Sequence, residues 1–198
     1  MKKIKVYLLN IAAVKGREEY LCSLLPKERV LKAQRFVVSR AAALSLGAGY
    51  LVYRYIGGYF TDEFGKPRSE DRFFNLSHSG DYAALAVCEE SEIGVDIEES
   101  EDKDEKLVNY CLCDEEKAEY AAGTEFVSLF VAKESLSKAE GRGLISDIKS
   151  IPALPLNGRV EYAGKTYYRH AFTFDGYRGS VTVEGEDFIV ETEEIKVI

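Results

Sequence analysis

The spacing of apolar positions along the chain switches between a period of two and a period of three to four, and the switches mark its elements. Lys3, Ile4, Lys5, Val6 and Tyr7 alternate, predicting a first strand over Lys3–Leu9. Pro26 then opens a basic helical segment, PKERVLKAQRF, whose Arg29, Lys32 and Arg35 fall three apart on one face. Ser39 is placed to cap a longer helix with a buried stripe of Leu44, Ala48, Leu51 and Tyr55. Gly47 and Gly49 inside it cost about 1 kcal/mol each, which predicts close packing against another element. Gly57 and Gly58 end the helix, and the polar stretch Thr61–Arg72, containing FGKP, reads as loop. Strand runs follow at Phe73–Leu76 and Tyr82–Val87, joined by SHSGD, and at Ile93, Val95 and Ile97, which alternate with Gly94, Asp96 and Glu98.

Beyond the acidic stretch Ser100–Lys106, the expected junction between halves, Asp114–Ala122 reads as a short helix. A longer one begins at Phe126 and is stopped by Gly141 and Gly143. The remainder reads as a meander of strands at Arg159–Ala163, Tyr167–Phe174, Ser180–Val183 and Phe188–Glu191. Its turns fall at Ala163-Gly164, Asp175-Gly176 and Gly185. Each half thus runs helix and then antiparallel strands, which points to a duplicated unit without a residue-level repeat.

The long C-terminal helix carries an unusual stripe. Phe126 and Phe130 lie four apart with Leu129 beside them, and continuing by four and four again gives Glu134 and Lys138. A carboxylate brought toward an apolar interior needs a partner, a hydrogen bond or a metal; the bland alternative is an (i, i+4) pair on a solvated face. On the strand GVDIEE, Asp96 and Glu98 point to one face with α-carbons roughly 7 Å apart, while Val95 and Ile97 face the core. These two are either the wet side of an amphipathic strand or, with Glu134, three oxygen ligands for one hard divalent ion, for which magnesium is suited. His78, between Ser77 and Ser79 and before Gly80, is either a structural hydrogen-bonder or part of a turn that lets a phosphate approach. Lys66 is a solvated loop lysine or a fixed cation. Taken together the set equips phosphoryl or diphosphate chemistry.

Composition narrows the partners. The 198 residues hold 26 basic and 34 acidic side chains, net −8, which argues against broad nucleic-acid binding, so any phosphate site must be a local concentration of cations. Cys22, Cys88, Cys111 and Cys113, with only His78 and His170 as histidines, match no zinc spacing. No run is long enough to span a membrane, and no cleavage pattern follows Val6–Val14; the expectation is a cytoplasmic protein with reduced thiols and no membrane partner.

FNLSHSG, IGVDIE and F-x-x-KES-x-x-K-x-x-G-x-GL, in this order, resemble the three signature motifs of the 4'-phosphopantetheinyl transferases, in particular the two-half, surfactin-synthetase-activating type. The match covers about Leu25 to Leu144. The resemblance implies an α+β fold of two similar subdomains, residues 1–99 and 100–198, in a pseudo-twofold arrangement with the active site between them, and a monomer. It implies transfer of the phosphopantetheine arm of coenzyme A to a serine of an apo acyl or peptidyl carrier protein, releasing adenosine 3',5'-bisphosphate. Asp96, Glu98 and Glu134 would hold Mg2+. Lys138 would contact phosphate, with Lys133 adjoining. Ser77, His78, Lys66, Arg29 and Lys32 would bind coenzyme A. Glu134 is the expected general base, with Lys138 and His78 stabilising charge.

The chain departs from the family pattern in places. Phe130 stands where tryptophan is usual, and Ala43 and Leu44 replace basic or histidine contacts to the nucleotide. Glu115, or equally Glu116, would match a further acidic residue near the metal. The competing expectations are a magnesium-dependent nucleotide hydrolase and a catalytically silent relative that binds coenzyme A or a carrier. A carrier face is expected between Leu107 and Phe126.

Overall fold

A computed structural model describes residues 2–36, 39–101, 104–141 and 147–198. The chain begins with β1 (Lys2–Asn10), then α1 (Glu18–Leu24), α2 (Lys27–Gln34) and α3 (Ser39–Tyr55). A short hairpin, β2 (Phe60–Thr61) and β3 (Pro67–Arg68), precedes β4 (Phe73–Ser79), β5 (Tyr82–Cys88) and β6 (Ile93–Glu99). Three helices follow, α4 (Glu105–Cys111), α5 (Asp114–Ala121) and α6 (Phe126–Glu140). The strands β7 (Gly158–Tyr162), β8 (Lys165–Phe174), β9 (Tyr177–Glu184) and β10 (Phe188–Glu194) complete the described chain. The fold is mixed, with helices packed on largely antiparallel sheets. Sequence periodicity did not reveal α1 or α4; the second expected stop of α6, Gly143, lies outside the described residues, as does Leu144.

Two four-stranded sheets carry the architecture, in the orders β10-β1-β5-β4 and β6-β9-β8-β7. They do not divide at the expected boundary of 99 and 100. β6, the last strand before that boundary, pairs antiparallel with β9 in the second sheet. Conversely, β10 leaves the expected meander and pairs in parallel with β1. The physical reason is side-chain placement: Phe188 on β10 is fully buried and joins a core built from Ile4, Val6 and Leu8 of β1 and Ile93, Val95 and Ile97 of β6. That cluster fills the space between the sheets. β5 is apolar on consecutive residues because both of its faces are covered, Ala84 and Ala86 by this cluster and Ala83 and Leu85 by the one beneath α1 and α3.

The glycines of α3 do what the sequence predicts. An added Cβ at Gly47 would come within 2.9 Å of Leu9, and one at Gly49 within 2.9 Å of Leu25. The turns at Ala163-Gly164 and Asp175-Gly176 both carry positive φ at their two central residues, as two-residue hairpins require.

The approach that matters most for the site is that of α6 to β6. A Cβ added at Gly94 would lie 2.0 Å from the carbonyl oxygen of Ser135 and 2.5 Å from the amide nitrogen of Ala139. Only a residue without a side chain lets the helix lie this close, and small polar groups complete the seam: the Ser135 hydroxyl meets those of Ser180 at 2.9 Å and Thr182 at 2.8 Å. Gly94→Ala is therefore expected to destabilise the protein by about 2 kcal/mol or more, the scale of an overpacked core. Denaturant unfolding checks this, and an unchanged midpoint would contradict the packing described.

Candidate active site

β6 is an edge strand, so the N–H groups of Val95, Ile97 and Glu99 have no strand partner on their outer side. β4 supplies one with side chains instead. Asn75 Oδ1 accepts from Val95 N at 3.0 Å, Ser77 Oγ from Ile97 N at 3.3 Å, and Ser79 Oγ from Glu99 N at 3.4 Å. The period of two on both strands makes this ladder regular. The two serines serve a second purpose, since Ser77 donates to Asp96 Oδ1 at 2.7 Å and Ser79 to Glu98 Oε2 at 2.6 Å. Each carboxylate is thus aimed by the residue that also anchors its strand.

The face carrying Asp96 and Glu98 is not wet. It lies beneath α6, and Asp96 is 4% exposed. Lys138 donates to Asp96 Oδ1 at 2.6 Å and to the Val95 carbonyl at 3.2 Å, so the aliphatic stem of the lysine spans from helix to strand. Glu134, one turn earlier and half-buried, faces the same cluster. Burial pushes its carboxyl above the usual range, the negative charges of Asp96 and Glu98 push it further, and Lys138 pulls the other way. Phe130 continues the stripe, stacked on Phe126 with ring centroids 5.8 Å apart, so phenylalanine fills the apolar position before the charged pair.

The donor set suits a hard cation. Asp96 Oδ2 and Glu134 Oε1 are buried without a hydrogen-bond partner among the described residues, and such oxygens are costly unless something positive meets them. Among the described residues no group of three His, Cys, Asp or Glu side chains forms a ready-made metal site. Ser77 and Lys138 both stand on Asp96 Oδ1, which leaves Asp96 Oδ2 and Glu134 Oε1 as the oxygens on offer.

On the other face of β4, His78 opens into a groove of about 380 Å³ that also receives Arg29 and Lys32 from α2. Its remaining walls are largely apolar, including Phe36, Leu44 and Tyr59. Two buried polar atoms there, Arg29 Nε and the Ser45 hydroxyl, have no partner among the described residues. Ala43, another departure from the family pattern, lines a hollow with Arg40 and Asp81. β4 is the edge of its sheet, with His78 on one face and Ser77, which holds Asp96, on the other.

Three of the predicted ligands have other partners. Lys133 is 0% exposed and points away from the carboxylate cluster, pairing with Glu116 at 2.7 Å and donating to the Ile151 carbonyl at 2.6 Å. Glu116 is accordingly the buried acid of α5, while Glu115 is exposed. Burial pushes the Glu116 carboxyl up, but Lys133 and the backbone N–H groups of Ala153 and Cys113 outweigh it and hold it below the usual range. Lys66 does not enter the groove with its ammonium, which is bound at Glu92 and at carbonyls of α6. Ser77 is turned toward Asp96. Gly80 is no open phosphate cradle either: a Cβ there would meet the Tyr177 hydroxyl, which accepts from Asp81 N at 2.9 Å.

A family model of the 4'-phosphopantetheinyl transferase superfamily matches residues 92–190, from the residue before β6 into β10. The chain belongs to this superfamily. The 4'-phosphopantetheinyl transferase gsp of Aneurinibacillus migulanus is 28% identical over 148 residues, 66% of this chain and 62% of that protein. The transferase family match contains Asp96, Glu98, Glu134 and Lys138, whereas His78, Arg29 and Lys32 precede it.

The electrostatics give a direct check. In a chelated, metal-free sample, Asp96→Asn removes one of the charges that raise Glu134, so the Glu134 carboxyl is expected to titrate at lower pH, as followed by carboxyl carbon NMR. An unmoved or higher midpoint would contradict the cluster. Since the folded state holds the Glu134 proton more tightly than the unfolded chain, stability falls as pH rises from the ordinary carboxylate value through the raised one. Glu134→Gln should flatten that part of the pH profile.

Proposed function

We propose that the protein transfers the 4'-phosphopantetheine arm of coenzyme A to a serine of an apo acyl or peptidyl carrier protein, with Asp96, Glu98 and Glu134 as magnesium ligands. The observation that carries this reading is the two partnerless buried carboxylate oxygens, Asp96 Oδ2 and Glu134 Oε1, beside Lys138 and across the β4 edge from the cationic groove. Magnesium, when bound, neutralises the diphosphate and polarises its phosphorus–oxygen bonds. The remaining work falls to side chains. Arg29, Lys32 and His78 bind phosphates of the nucleotide, and the apolar groove walls take its base. Lys138 holds the charge that develops on the β-phosphate. Glu134 accepts the proton of the carrier serine. The serine oxygen forms a bond to the β-phosphorus as the bond from that phosphorus to the bridging oxygen breaks, and adenosine 3',5'-bisphosphate leaves.

The two halves of the proposed transferase are related by a pseudo-twofold, with the site between them. The support is reciprocal: each sheet takes the last strand of the other half, β6 in one case and β10 in the other, and each is covered on its outer face by a long helix, α3 or α6. Leu107, Tyr110 and Tyr120, exposed on α4 and α5, supply apolar contacts for an acidic carrier that an acidic protein would otherwise repel. Among the described residues no helix is long and apolar enough to cross a membrane.

Mixing the protein with coenzyme A, magnesium and an apo carrier is expected to add the mass of one phosphopantetheine to the carrier, read by mass spectrometry. Glu134→Gln and Asp96→Asn should each lower the rate by about 100-fold or more. Nucleotide breakdown with an unmodified carrier would instead indicate a hydrolase, and binding of coenzyme A alone a silent relative.

A further inference from the structure

Lys66 is 8% exposed, and its ammonium is saturated. It donates to Glu92 Oε2 at 2.7 Å and to the Lys138 carbonyl at 2.7 Å, with the carbonyls of Ile93 at 3.3 Å and Ala139 at 3.4 Å completing its surroundings. An ammonium has three hydrogens, and four acceptors already compete for them. The other Glu92 oxygen receives Arg68 Nη1, whose guanidinium also reaches Asp62 through Nε at 2.8 Å. Asp62 in turn accepts from the backbone N–H of Lys66 at 2.9 Å and of Phe64 at 3.1 Å, fixing the tip of the β2–β3 hairpin.

This cluster joins three parts of the candidate site. The hairpin lines the groove through Thr61, Gly65 and Pro67. Glu92 immediately precedes β6, the strand of Asp96 and Glu98. The carbonyls of Lys138 and Ala139 belong to the last turn of α6, where no intrahelical N–H remains to meet them, and a cation there is doubly favoured by hydrogen bonding and by the helix dipole. The residue whose side chain grips Asp96 is therefore held by its backbone as well: Lys138 Nζ rests on β6, and Lys138 O rests on Lys66.

We propose that Lys66 and Glu92 are a positioning pair, which sets the axial register of α6 against β6 and so places Glu134 and Lys138 relative to Asp96. The proposal rests on the transferase reading for its catalytic consequence. It differs from the role that the family resemblance implies for Lys66, because a positioning lysine governs turnover where a phosphate ligand governs capture of coenzyme A.

Glu92→Gln and Lys66→Met separate these roles. Both are expected to lower kcat for carrier modification by about tenfold or more while leaving KM for coenzyme A within about twofold, measured well below the melting temperature so that a simple loss of stability would leave kcat unmoved. Lys66→Arg should recover part of the loss. Without any substrate, hydrogen exchange at the amide of Gly141, which donates to the Ser137 carbonyl at 3.0 Å, should be faster in both variants. A KM for coenzyme A raised about tenfold in Lys66→Met with kcat intact would overturn the proposal, as would unchanged exchange. If Lys66→Met does not fold, Glu92→Gln, which keeps the shape of the side chain, carries the test alone. Should the unaltered protein modify no carrier, the transfer reading fails, while the exchange experiment still decides whether the pair holds the helix.

Discussion

The hydrogen bonds from the β6 backbone to Asn75, Ser77 and Ser79 are the constraint on which the rest of the structure depends. An edge strand buried between layers leaves N–H groups that cost about 1–3 kcal/mol each when unmet. A neighbouring strand would have met them with its own backbone, but then β4 and β6 would have fused the two sheets into one and closed the edge. Side chains meet them at greater reach, so the sheets stay separate. The carboxylates of β6 lie at that edge, each steered by a serine that is already committed to the strand.

Charge is concentrated where this arrangement can hold it. Asp96 and Glu98 are brought beneath α6 because Gly94 allows the helix to come close, and the helix contributes both a third carboxylate and a lysine. Burial first, and then the negative charges of Asp96 and Glu98, raise the affinity of Glu134 for a proton. Lys138 offsets part of that repulsion, and a divalent ion would offset the remainder. A different logic governs the far side of α6. There the Glu116–Lys133 pair is closed to solvent and hydrogen-bonded through Ala153, Cys113 and Ile151, with Arg169 beside it donating to the carbonyls of Ala153 and Pro152. That network fastens the loop before β7 to the helix. One helix thus carries a sealed ion pair on one side and an open one on the other.

Much of this is legible in the residues. The alternation of Gly94, Asp96 and Glu98 against Val95 and Ile97 fixes which side each occupies, and the four-residue spacing of Phe126, Phe130, Glu134 and Lys138 fixes the stripe. Local patterns speak less clearly about partners. Lys133 and Lys138 differ only in helical phase, so deciding which meets the site requires knowing where β6 lies. Asn75, Ser77 and Ser79 form a polar period of two that signals a special face of β4, yet that face could equally meet water, phosphate or backbone. β10 carries the same alternation whether it extends a meander or crosses to β1. Glu92 gives no local signal, since its importance comes from Lys66 and Arg68, some two dozen residues earlier in the chain.

The proposed transfer requires three carboxylates from two separate elements to share one cation. Diffraction from crystals grown with coenzyme A and manganese, recorded at the manganese absorption edge, tests this most directly. The expected result is a single anomalous peak within about 2.5 Å of oxygens from Asp96, Glu98 and Glu134. A peak that excludes Glu134, or one that persists unchanged in Glu134→Gln, would contradict it.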